Sequence, residues 1–120
     1  MKLKHAFFFI TLINVIFVAP SFSATAQFTA KVLEVLVDDS DYGGCMVRLS
    51  QDPATKLAGC GASWVTADCL AGAPTSTKSL ANTKLQAAQL AYLTGNNVRV
   101  IISDAYTANG KCLLKTIRNQ

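Results

Sequence analysis

The chain is 120 residues long, 51% hydrophobic and 15% charged, with eleven basic and seven acidic residues and a formal charge of +4. That length accommodates one small domain and leaves little room for a deep catalytic cleft. The basic residues stand singly rather than in a stripe, which argues against a dedicated nucleic-acid surface.

The N-terminus reads as an export leader. Lys2 and Lys4 precede a short apolar run at residues 6–19 (AFFFITLINVIFVA), and Pro20 and small residues lead to Ala24-Thr25-Ala26, a small-x-small cleavage pattern. The apolar run is shorter than the ~20 residues a spanning helix needs, so a membrane anchor is the weaker reading. Residues 1–26 are expected to be a signal peptide cut after Ala26, with Ser23 as the next candidate, and residues 27–120 a secreted or periplasmic domain. His5, the only histidine, leaves with the leader, and with it go Ser-His-Asp and Cys-His catalysis and histidine-based zinc sites. Lys2 and Lys4 leave too, so nine of the eleven basic residues remain against seven acidic ones, about +2.

Residues 28–37 (FTAKVLEVLV) predict a first strand, with Phe28, Ala30 and Val32 on one face and Leu33, Val35 and Val37 on the other. A strand apolar on both faces fits a curled sheet or an oligomer interface. An acidic turn at 38–44, ending in Gly43-Gly44, leads to a second, antiparallel strand at 45–50 (CMVRLS), where Cys45, Val47 and Leu49 alternate with polar or flexible residues. Pro53, Gly59 and Gly61 mark residues 51–61 as a loop, and residues 62–69 (ASWVTADC) predict a third strand centred on Trp64 and Val65. Strong helix formers fill residues 79–94, with Ser and Thr before them as N-cap candidates and Gly95 after them as a C′ residue. The apolar face of that helix is broad, running from Leu80 and Ala81 through Leu85 and Ala88 to Leu90, Tyr92 and Leu93, and fits burial against a sheet and a neighbouring subunit or within a monomer core. A fourth strand at 98–103 and a fifth at 111–118 flank the hairpin turn Asn109-Gly110. One helix between the third and fourth of five strands is the layout of an OB-fold barrel, a mainly β architecture. A generic α+β sandwich of the same order is the alternative.

Four cysteines in an exported domain this small act as staples, and they allow three pairings. Positions along the strands favour Cys45–Cys60 with Cys69–Cys112 over Cys45–Cys112 with Cys60–Cys69. No two are spaced C-x-x-C, which argues against redox or metal chemistry. Asp38, Asp39 and Asp41 cluster as a calcium loop would, but the twelfth position from Asp38 is Leu49 rather than Glu. Carboxylate pairs for glycoside hydrolysis could be drawn from Glu34, Asp38, Asp41 and Asp68, yet no spacing favours any of them. Trp64, the only tryptophan, fits a core aromatic or a stacking platform. No catalytic residue, metal or cofactor is expected.

The segment VLEVLVDDSDYGGCMVRLS at 32–50, Cys60, Trp64, the stretch QLAYLTGNNVRVII at 89–102 and the late Cys112 resemble the B subunits of subtilase-cytotoxin and typhoid-toxin type bacterial toxins. The resemblance implies an OB-fold that assembles as a pentameric ring, binds sialylated glycans and carries a separate catalytic A subunit. It makes Ser40 the residue that hydrogen-bonds the sugar, with Tyr42 beside it. Asp39 and Asp41 flank that serine, and Trp64 stands where the family places a lysine. The ligand-binding set expected from the sequence is Ser40, Asp41, Tyr42 and Trp64, in a non-enzymatic, glycan-binding homo-oligomer. The alternative is a secreted or periplasmic inhibitor or envelope-interaction module on the same scaffold.

Overall fold

The structure, a computed structural model, describes residues 22–120; the expected leader lies outside the described residues as far as residue 21. Five strands, β1 (Thr25–Val37), β2 (Cys45–Leu49), β3 (Trp64–Thr66), β4 (Asn97–Ala108) and β5 (Lys111–Asn119), close a barrel in the order β1-β2-β3-β5-β4. Pairing is antiparallel except between β3 and β5, which meet at the parallel rung Thr66↔Leu113. A four-residue helix, α1 (Pro53–Lys56), lies in the β2–β3 connection, and the long helix α2 (Lys78–Thr94) joins β3 to β4. The helix between the third and fourth strands of a closed barrel is the OB-fold arrangement, and the sandwich alternative falls.

The barrel interior is filled by strand residues of alternate parity. Val47, Val65, Val98, Val100, Ile102 and Leu114 are fully buried, while Arg99, between two of them on β4, is exposed. The two apolar faces of β1 have a physical cause. A register shift between Val32 and Glu34 turns the strand over. Ala30 and Val32 point into the core before it and Val35 packs there after it, so Leu33 is left outside, while Val37 is exposed because β1 ends there. Helix α2 is capped as its sequence predicts, with the Thr77 hydroxyl accepting from the Leu80 N–H at 3.1 Å and Gly95 closing the other end at φ 69°. Its buried stripe is narrower than the sequence predicts, consisting of Ala81, Lys84, Ala88 and Ala91. Three alanines let the helix lie close on β1 and β5, and Leu80, Leu90, Tyr92 and Leu93 remain exposed.

The disulfides correct the expected pairing: they are Cys45–Cys69 and Cys60–Cys112, the third of the three combinations, neither the favoured one nor its rival. The β2–β3 register Met46↔Thr66 carries the chain just past β3 back beside the head of β2, which puts Cys69 next to Cys45. Cys60 sits in the loop before β3, where the Gly61 N–H donates to the Gly110 carbonyl at 2.7 Å and so brings the loop to the start of β5 and Cys112.

Candidate functional site

The turn between β1 and β2 is held by hydrogen bonds at both ends. One oxygen of Asp38 accepts the N–H groups of Ser40 and Asp41, each at 3.0 Å, and the Asp38 N–H donates to the Gly44 carbonyl at 3.0 Å. Tyr42, Gly43 and Gly44 follow with φ of 54°, 77° and 82°, a left-handed run that two glycines make accessible. Gly43 is also packed against β3: a Cβ there would lie 2.5 Å from the Thr66 hydroxyl, which itself donates to the Tyr42 carbonyl at 2.7 Å. The Leu70 N–H donates to the Gly43 carbonyl, and Cys45–Cys69 fixes the same contact covalently. Ser40 and Asp41 stand exposed on this platform, and Tyr42 is half-buried.

The two backbone N–H donors on its carboxylate hold the Asp38 carboxyl below its ordinary value of 3.8. A carboxylate with a depressed folded-state pKa stabilises the fold above that ordinary value, and the stabilisation is lost as pH falls through the depressed one. Two-dimensional NMR on an acid titration is therefore expected to show the Asp38 carboxyl titrating below 3.8, with the Ser40 and Asp41 amide resonances moving at the same midpoint. A midpoint at or above 3.8 would contradict the turn geometry.

Trp64 is not part of that platform. The register places it opposite Arg48, three positions along β2 from Cys45. There it belongs to a row across the outer face of β1, β2 and β3, with the Glu34 carboxylate 3.0 Å from Arg48 Nε and the Arg48 guanidinium 5.9 Å from the indole centre. The row is solvent-exposed on two members and contributes at most about 1 kcal/mol.

A second outward face, which the sequence reading missed, lies on β1, β4 and β5. Arg99 and Arg118 are direct cross-strand partners, and with Gln27, Ile101 and Thr116 they border a recess of about 70 Å3. Among the described residues the one ion pair is Glu34–Arg48, so neither arginine has a carboxylate partner. The alternation of β4, with Val98 and Val100 buried, is the available sequence signal that Arg99 faces outward.

A third group of ionisable residues comprises the buried Asp68 and Lys84 and the half-buried Tyr106. Asp68, weighed above as half of a carboxylate pair, has no exposed surface, and its two oxygens accept the N–H groups of Gly72 and Ala73 at 2.9 and 2.8 Å. These bonds give it the structural task of holding the loop after β3. Lys84 lies on the buried face of α2 and donates to the Leu114 carbonyl at 2.8 Å. Burial lowers its amine below the ordinary lysine range, and the Asp68 charge opposes that shift. Tyr106 is shifted upward, first by burial and then by the same Asp68 charge.

Among the described residues no group of three histidine, cysteine, aspartate or glutamate side chains is disposed to hold a metal, and no helix is long and apolar enough to cross a membrane. No family model matches the chain, and neither a curated protein nor a solved structure matches it.

Proposed function

We propose that the chain is a secreted, non-enzymatic carbohydrate-binding protein of the toxin B-subunit type, which assembles as a ring and engages an acidic glycan. The observation that carries this reading is the outward pair Arg99 and Arg118, opposite each other and bordering one recess with Gln27 and Thr116. Like charges directly opposite on a sheet repel, and an anion between them relieves that repulsion while accepting the planar N–H forks of guanidinium. A sialic-acid carboxylate or a sugar sulfate supplies that charge. Gln27 and Thr116 add an amide and a hydroxyl for sugar hydroxyls.

The 38–44 turn complements this face. Its three aspartates repel an acid, whereas Ser40 and Tyr42, displayed on a hydrogen-bonded platform, suit uncharged hydroxyls. The apolar side chains left outside, Leu33 and Val37 on β1 and Leu90, Tyr92 and Leu93 on α2, provide a surface for a second copy of the chain. The B-subunit reading adds a separate catalytic A subunit carried by the ring.

A glycan array probed with the oxidised protein is expected to select carboxylated or sulfated sugars over their neutral parents. Ser40→Ala is expected to weaken binding about three- to tenfold, the worth of one hydrogen bond. Selection of neutral sugars alone, or light scattering that reports only a monomer, would overturn the reading.

A further inference from the structure

We propose that export processing cuts the Ser23–Ala24 bond, so that the mature chain begins at Ala24 with its α-ammonium paired to the Asp104 carboxylate. The inference rests on the reading of the N-terminal residues as an export leader, and it moves the cut three residues upstream of the site favoured by the Ala24-Thr25-Ala26 pattern.

The start of β1 is bound into the barrel. The Ala24 nitrogen donates to an oxygen of the Asp104 side chain at 2.7 Å, and the Asp104 N–H donates back to the Ala24 carbonyl at 3.2 Å. The rungs Thr25↔Ser103 and Ala26↔Ile102 follow, and Ala26 packs against the core. These contacts matter because of a bulge in β4. The β4–β5 register jumps from Ser103↔Leu113 to Thr107↔Cys112, so residues 104–106 have no rung on that side. The Ala24 carbonyl accepts the Asp104 N–H instead, and a cut after Ala26 would remove that acceptor together with two rungs.

The bond before Ala24 meets the small-x-small requirement through Ser21 and Ser23. The export endopeptidase adds water across the amide: Ser23 leaves as a carboxylate on the leader, and Ala24 takes the amine, which is protonated at neutral pH. The peptidase reads an extended precursor, so the Asp104 contact does not choose the bond; the contact uses what the cut leaves. An ammonium at the Ala24 nitrogen keeps the N–H donor and adds a charge, and 2.7 Å lies in the range of charge-assisted hydrogen bonds.

The full chain, expressed in a host that exports it, is read by intact mass and N-terminal sequencing of the released protein. Ala24 as first residue is the expected result. Gln27 as first residue overturns the proposed bond while leaving the leader intact, and an uncut chain overturns both. The pairing is read separately by NMR titration of the α-ammonium. Its midpoint is expected above the ordinary α-amino value and back at that value in Asp104→Asn. A wild-type midpoint at the ordinary value overturns the ion pair.

Discussion

Replacing Cys60 and Cys112 together by serine is expected to cost about 4 kcal/mol of stability. The bond closes a loop of 52 residues, against 24 for Cys45–Cys69, for which the same chain-entropy argument gives about 3.5 kcal/mol. Both figures are large beside the 5–15 kcal/mol that holds a domain of ordinary size together. Cys112 is fully buried and Cys60 nearly so, which makes their replacement a packing loss as well. Urea unfolding of the single-bond variants is expected to rank them in that order, with a fall in melting temperature on the order of 20 °C for the Cys60/Cys112 pair. Loss of less than about 1 kcal/mol would contradict the entropic account. Peptide mapping that joined Cys45 to Cys60 would contradict the connectivity itself.

Lys84 carries the second large effect. Lys84→Ala removes a buried stem and leaves the Leu114 carbonyl without its donor, and the combined loss is expected to be about 3 kcal/mol. Lys84→Met keeps most of the stem and removes the amine alone, so it recovers the packing share. The two variants also separate by pH. Because the folded-state pKa of Lys84 lies below its ordinary 10.5, the unfolded chain binds more protons between those two values. Stability therefore rises with pH across that window. Tyr106, raised above its ordinary 10.0, acts in the opposite sense at the upper end. The difference between wild type and Lys84→Met isolates the lysine: urea unfolding at several alkaline pH values is expected to show wild type gaining on the variant as pH rises. A constant difference would contradict the burial of a charged amine.

The architecture was legible because local signals agreed. Thr77 and Gly95 bound a helix of strong formers, Asn109-Gly110 turns a hairpin, and valines on alternate positions set the strands. What the sequence concealed depends on register. A hairpin counted straight back from Asn109-Gly110 puts Arg118 opposite Ile101, and two register shifts in the β4–β5 pair slide it to Arg99. The same kind of shift after Val32 explains a first strand that looks apolar on both faces. The disulfide pairing was hidden because the short β3, only Trp64–Thr66, lets the chain double back at once and return Cys69 to Cys45. Lys84 was overlooked as a buried residue because lysines are rarely buried, although it lies in line with Ala81, Ala88 and Ala91 at helical spacing. Of the expected ligand set, Ser40, Asp41 and Tyr42 share one turn, whereas Trp64 lies further along the sheet in a row with Arg48 and Glu34.

Acidic-glycan binding at the Arg99–Arg118 face is tested most directly by calorimetric titration of the oxidised protein with a sialylated trisaccharide and with its neutral parent. The wild-type protein is predicted to bind the acidic sugar more tightly, with an affinity that falls as salt is raised. Arg99→Ala is predicted to lose about tenfold or more of that affinity and to leave the weak binding of the neutral parent unchanged. Equal affinity of wild type and Arg99→Ala for the acidic sugar would contradict the account.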